Sequence, residues 1–576
     1  MSLGSRGMAE TKRAILRTVL AGAVFLVPPH SESDSLGRLA RTGSHPALFC
    51  GGGPTDRQNH SDQYVGWVPK EILDRPLPLR QGIGNLHEQV TTSSPEAQKF
   101  YDQGLDYLHD YDWIEAARSF HQALRLDPSL AMAYVGLSDD YVAMLDQTAA
   151  REALSKAQDL ADKVSPSERT RIEIRAAGLA YLGDPNPDMQ KYFAYRKLIS
   201  DALTADPNDP WLWIQRAFAD EGSPSAHGQG GGIDTVAFYE TVLAKSPDNL
   251  AAHHYLTHTF ENLGRSELAL EQADAFVRLA PNIPHAHHMR GHELRCLGRT
   301  EEAIAEFQKA RELEDAYYKS ESIPAQYDWH HAHNLSLLAL SYESLGEMTL
   351  AEPLLREAFA APTHTDVAEF NRREWPDFLL EHGRPDEALK AAQTMIDKSE
   401  WPMGRFGGYA LAGEALLALN RVDDARNELD LAEREMEKVP SSALGDLTTS
   451  AVLRAELLLH DRDFPKAETV LKQVEQRLRA MPDPDSWSDT LFELEFIART
   501  SRDAGDWDFS AYTAQQMINH DPSYAGGYYA LALAEEHRGD GAAARSDFQM
   551  AAKRWSRADQ DLPELEQIHE KIGGQQ

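Results

Sequence analysis

The stretch "AQKFYDQGLDYLHDYDWIEAARSFHQALRLDP" (Ala97–Pro128) decides the fold. Counted from Ala97 as position 1, it puts Phe100 at 4, Gly104 at 8, Tyr107 at 11, Ala116 at 20, Phe120 at 24, Ala123 at 27 and Pro128 at 32. This spacing predicts two helices joined by a short turn. Small residues at 8 and 20 let the helices approach closely, and the ring at 24 fills the space between them. Proline at 32 ends the second helix and turns the chain into the next unit.

The same register recurs. Pro247 and Pro281 are 34 residues apart, as are Gly264 and Gly298, and Gly505 and Gly539. Ala303, Phe307 and Ala310 take positions 20, 24 and 27 of a unit starting at Pro284. Ala351 and Ala358 serve a unit at Ala332, Ala388 one at Glu369, and Ala425 and Ala432 one at Phe406, while Ala455 and Ala467 mark one near Thr448. Between 131 and 249 the register loosens: "AMAYVGLSDDY" opens a unit with a displaced second helix, and "GSPSAHGQGGG" (222–232) reads as a flexible loop. The array predicts about ten to twelve helical pairs.

This pattern resembles the tetratricopeptide (TPR) repeat family over nearly all of residues 95–558. The resemblance implies an all-α, right-handed α-solenoid of stacked helix–turn–helix units. Helix A of each unit would line a concave groove, where such proteins usually bind a peptide or protein segment. The stretches "GNLHEQVTTSSPEAQKFYDQGL", "HHYLTHTFE" and "HAHHMRGH" are also similar to a group of exported bacterial TPR proteins. That likeness implies a compartment and no reaction.

Residues 250–365 are histidine-rich. Ten of the chain's 23 histidines fall between His253 and His333, where an even spread would put about three. In the register, His254 and His258 occupy positions 5 and 9 of the Leu250 repeat, and His288 and His292 occupy the same positions of the Pro284 repeat. Residues four apart lie on one helical face. The resemblance implies that positions 2, 5, 9, 12 and 13 face the groove. His285, Arg295, Asn262 and His333 then line it with the two pairs, and Tyr101 and His109 extend it in the first repeat.

Several readings compete. His254, His258, His288 and His292, with Glu261, His285 and His333 as further candidates, could share one transition metal (zinc, copper, nickel or iron). The same groove could instead hold a peptide or anion without metal, with Arg295 helping. His253 and His287, at position 4, are expected to pack between helices. Crowded histidines are also candidates for a pH switch. "HELRC" (292–296) lacks the final histidine of a zinc-protease motif, and no phosphate loop, nucleophile elbow, dinucleotide glycine motif or CxxCH is present. No catalytic residue is therefore assigned.

The net charge of −34 disfavours nucleic acid and anionic lipid and favours basic or cationic partners. Two cysteines, Cys50 and Cys296, exclude a disulfide framework and paired-cysteine zinc sites. At the N-terminus, Lys12, Arg13 and Arg17 precede "TVLAGAVFLV" (18–27) and two prolines. Starting at Met1 or Met8, residues 1–29 fit a signal peptide, or else a short anchor, and fall short of the roughly twenty residues a span needs. Export is expected, periplasmic or anchored facing the periplasm, with a cytoplasmic location as the alternative. Any membrane contact would run through this segment alone. Residues 30–94 read as a linker or extended arm, 95–249 as partly irregular repeats, 366–558 as C-terminal repeats and 559–576 as a tail.

Overall fold

The computed structural model describes residues 63–182, 188–220, 231–364, 368–369, 372–438, 448–479 and 484–573. The expected signal or anchor segment (1–29), Cys50 and most of the 222–232 loop lie outside the described residues. No helix among the described residues is long and apolar enough to cross a membrane.

The chain is an all-α solenoid of tetratricopeptide-type repeats. Among the described residues, twelve helix pairs follow one another, from Pro95–His109 with Trp113–Leu126 to Ala525–Arg538 with Gly541–Arg554. The register has a backbone signature. The residue at position 15, in the turn between helices A and B, has positive φ in Tyr111, Leu145, Gly264, Gly298, Gly346, Gly383, Asn420, Arg462, Gly505 and Gly539. The left-handed conformation reverses the chain after helix A, and glycine adopts it without steric cost. Tyr111, Leu145 and Arg462 adopt it against their intrinsic preference.

The packing logic also holds. A Cβ on Gly104 would lie 2.5 Å from the Phe120 ring, and one on Gly291 would lie 2.6 Å from the Phe307 ring. The small residue at 8 is therefore the socket for the aromatic at 24. Phe120, Phe307 and the alanines at 303, 310, 388, 425 and 432 are essentially inaccessible to solvent. Phe307→Ala removes a buried ring from the seam between two repeats and is expected to cost about 3–5 kcal/mol. Chemical denaturation checks this; an unchanged midpoint would count against the register.

Two segments differ from expectation, and part of the arm packs on the first repeat. The second helix of the Ala131 repeat is not displaced: Gln147–Asp159 starts at position 17, as Trp113 does in the repeat before. Within the arm, a small hairpin pairs Tyr64–Val65 with Val68–Pro69. The arm is tied down by Arg118, whose buried guanidinium donates to the carbonyls of Arg75 and Pro76 and pairs with Glu115 and Glu321. The stretch read as a tail contains the helix Pro563–Gly573, which buries Leu565 and Ile568 against the last repeat.

The solenoid also closes on itself. Arg295 pairs with Asp521 at 2.7 Å, both buried, and Asp559 N donates to Gly346 O. From the other side, Trp329 Nε1 donates to Tyr111 O, and Trp67 Nε1 donates to Tyr327 O. The first repeat with its arm and the last repeats thus both pack on the histidine-rich middle.

Candidate metal centre

Three A helices build the site: Leu250–Asn262, Pro284–Cys296 and Trp329–Ser344. Side chains of Asn249 and Asp328 cap the first and third, and Pro284 opens the second. The i, i+4 pairs stack as expected, with ring centroids 5.0 Å apart for His254 and His258 and 4.3 Å for His288 and His292. The structure brings the pairs together differently from the single shared ion expected. Each pair is completed by the histidine at position 2 of the following repeat. The result is two triads, His254–His258–His285 and His288–His292–His333.

In each triad one ligand atom per residue lies within 4.8 Å of the others. In the first, His254 Nε2 is 3.1 Å from both His258 Nε2 and His285 Nε2. A tetrahedral ion with metal–nitrogen bonds of about 2.0–2.1 Å separates its ligands by about 3.3 Å. The triad is close to that spacing.

The outer contacts fix which nitrogen is free. His254 Nδ1 lies 2.5 Å from the His109 carbonyl, which only accepts, so Nδ1 carries the proton and Nε2 presents a lone pair. His258 Nδ1 and His292 Nδ1 each lie 3.1 Å from a different oxygen of Glu261. Burial pushes the Glu261 carboxyl up, but hydrogen bonds from these two imidazoles outweigh it and hold it at about 2. An ionised carboxylate only accepts, so both Nδ1 atoms donate. His288 Nδ1 faces Asn334 Oδ1 at 3.0 Å, and Asn334 Nδ2 donates to Phe307 O, which orients the amide. The lone pair of His254 Nε2 therefore faces His258 Nε2 at 3.1 Å, where a cation held by both nitrogens would sit.

Burial does the rest. It holds His254, His285 and His288 well below the ordinary histidine range, reinforced by the neighbouring imidazoles. These ligands are neutral at pH 7, as metal binding requires. Nε2 of His288, of His292 and of His330 is buried without a hydrogen-bond partner. A native fold rarely leaves such atoms bare.

The other candidates fall elsewhere. Glu261 bridges the two triads from outside and is not a ligand in either one. Arg295 is spent on Asp521, and Asn262 reaches Gly231 O at 3.5 Å. Tyr101 donates to Glu88 of the arm, and His109 Nδ1 meets Tyr255 OH at 2.6 Å. His253 and His287 pack between helices as expected, bonded to Gln272 and Glu306 and to the carbonyls of Pro247 and Pro281.

Three participants escape a reading of the register. His330 lies against His285 and His288, with ring centroids 5.2 and 4.4 Å away, and its Nδ1 is 2.6 Å from Glu314. Glu314 comes from the helix Thr300–Glu321, whose 22 residues exceed the 14 of the preceding B helix. Tyr111 sits 4.6 Å from His254 and 5.5 Å from His285 by ring centroid. The one available signal was spacing: the Pro284 and Ala332 repeats are 48 residues apart where 34 is the rule.

Glu261→Ala removes the outer contact of both triads at once. Loss of such a contact typically costs 10–100-fold in metal affinity. A competitive chelator titration should show both sites weakened; a change at one site alone would contradict the bridge.

No family model matches the chain, and no curated protein matches it. Solved structures do align. One is YrrB, "a TPR protein with an unusual peptide-binding site" (17% identity, 36% of this chain and 95% of that one, TM-score 0.25). Another is a tetratricopeptide repeat protein from Parabacteroides merdae (14% identity, 48% and 98%, TM-score 0.34). A third is the apo form of the quorum sensor NprR from B. thuringiensis (15% identity, 58% and 97%, TM-score 0.36). At these TM-scores the likenesses carry nothing about function, and the repeat assignment stands on the chain's own register.

Proposed function

We propose that this tetratricopeptide-repeat chain is a transition-metal-binding protein holding two ions, one in each histidine triad. The observation that carries the reading is the first triad, where Nε2 of His258 and Nε2 of His285 each lie 3.1 Å from His254 Nε2, with Nδ1 of His254 and of His258 engaged outside by the His109 carbonyl and Glu261. A ligand set made only of imidazoles suits zinc, copper, nickel or iron, and nothing in it singles out one of them. Elemental analysis of tag-free protein tests it: about two equivalents are expected, and protein that neither carries nor tightly takes up any of these metals would sink the proposal.

A protein or peptide partner is the second reading, and it is moved along the solenoid. Between later A helices, Glu374, Asp377, Glu381, Glu414 and Glu493 line a cleft together with Arg373. Burial raises Glu381 to about 8 and Glu414 well above the ordinary carboxyl range, so a basic segment would bind by drawing protons from these two as well as by pairing with the others. A fluorescent oligolysine peptide should bind with an affinity that falls as salt rises; salt-independent binding would argue against this cleft. Export is also part of the proposal, on the basic–apolar pattern of residues 12–27. N-terminal sequencing of protein recovered from a periplasmic fraction tests it, and an intact Met1 or Met8 end in the cytosol would reject it.

A further inference from the structure

Beside the first triad lies a cavity of about 370 Å³, within the range of small-molecule sites. Four stretches far apart in sequence meet around it: the arm hairpin with Trp67, the first inter-helix turn with Asp110, Tyr111 and Trp113, the start of the Pro284 helix with His285, and Tyr317 to His330.

Its walls are aromatic faces. Trp113 stacks on Trp329 at 5.1 Å between centroids, and Trp67 meets Trp113 edge-on at 6.1 Å. The indole N–H groups of Trp67 and Trp329 are already spent on the carbonyls of Tyr327 and Tyr111. An occupant therefore meets these two rings through their π-systems and not through their donors.

The charges lining the cavity are unbalanced. Arg80 is taken by Glu321, and Glu115 is taken by Arg118 and Tyr317. Asp110 is different. It is fully buried, and neither carboxylate oxygen has a hydrogen-bond partner. Asp112 and Asp328 line the same space.

We propose that this cavity binds a small organic cation, an alkylated or aryl-substituted ammonium, with the indoles of Trp67, Trp113 and Trp329 on its faces and Asp110 as its counter-charge. A cation over an aromatic face is attracted by the ring quadrupole, and more strongly once both are desolvated. Burial, with repulsion from Asp106 and Asp112, drives the Asp110 carboxyl well up when nothing neutralises it. A bound ammonium supplies the missing charge. His285 belongs to both the cavity wall and the first triad, so an occupant lies next to the proposed ion. The cation site itself does not depend on that ion.

Calorimetry and tryptophan fluorescence on the full chain test this, with choline and benzyltrimethylammonium as probes. 3,3-Dimethylbutan-1-ol, the uncharged carbon isostere of choline, is the control. Each titration is run once in EDTA and once with zinc. At least one cation is expected to bind saturably and to quench tryptophan emission in both conditions, with the isostere weaker by about tenfold or more. Asp110→Asn, which keeps the shape and loses the charge, is expected to weaken the cation about tenfold and leave the isostere unchanged. The proposal is overturned if neither cation saturates below about 10 mM, a Kd near the weak limit of specific binding, or if cation and isostere bind alike. It is also overturned if a folded Asp110→Asn protein binds the cation as the parent does. Binding seen only with zinc would also overturn the proposal, because a quaternary ammonium has no lone pair to offer a metal and the aromatic cavity would then hold no cation by itself.

Discussion

Protein loaded with zinc and desalted is expected to retain about two ions, His258→Ala about one, and the double variant His258→Ala/His292→Ala none. The partition follows from geometry. His258 contributes only to the first triad and His292 only to the second, although both touch Glu261. Removing one of three nitrogens reduces affinity by more than the 10–100-fold typical of an outer contact, so a truncated triad loses its ion through a desalting column. The control is His253→Gln: that histidine neighbours His254 in sequence yet bonds Gln272 and Pro247, away from either triad. It should keep both ions. If His258→Ala and His292→Ala each empty both sites together, the pairs share one centre and the two-triad description is wrong. If neither changes metal content, the imidazoles are packing groups.

The fold was legible because its rule is one-dimensional. Gly104, Phe120, Ala116 and Pro128 describe one hairpin, and a stack of such hairpins must repeat at 34. The same rule placed His254 beside His258, and His288 beside His292. It named His285 and His333 as further candidates but assigned neither to a pair. Both stand at position 2, and each meets the pair of the preceding repeat through tertiary packing, His285 with His254 and His258, His333 with His288 and His292. For His333 the link also crosses the 14 extra residues that lengthen Thr300–Glu321 and bring Glu314 to His330. Closure of the solenoid is a further step that no local spacing encodes. Arg295 looked like a groove residue because nothing near it in sequence announces Asp521. Tyr111 illustrates the cost of function. It holds a left-handed turn at φ 64° where most repeats use glycine, and its ring packs on His254 and His285. That strain is worth of order 1 kcal/mol or more and is retained by the surroundings that pin Tyr111 O to Trp329.

Stability is expected to fall as pH rises from about 6.5 to 8 in metal-free protein, a window in which most domains are flat. The cause is buried acid. Burial raises Asp106 to about 8, and burial raises Glu381 and Glu456 to about 8 as well, Glu381 with repulsion from Glu495 and Asp377. Between the unfolded carboxyl range near 4 and these folded values, the native state holds protons that the unfolded chain has lost. Raising pH through that interval favours unfolding, by up to about 1.4 kcal/mol per pH unit for each such group. Histidines with lowered folded values, His109 at about 4 among them, act in the opposite direction, but only below about 6.5, where the unfolded imidazole gains its proton. Between about 4 and 6.5 the two sets oppose each other, and above 6.5 the carboxyls act alone, so the stability maximum lies on the acid side of neutrality. Asp106→Asn isolates one contributor. The amide still accepts from Leu86 N through its oxygen, as Asp106 does at 2.9 Å, and it cannot ionise. The variant should match the parent near pH 4 and below, exceed it increasingly up to pH 8, and lower the slope by up to about 1.4 kcal/mol per pH unit. Urea denaturation at several pH values in EDTA measures both. Parallel curves for parent and variant would mean that Asp106 is ionised in the native protein and that its pocket is wetter than its packing implies.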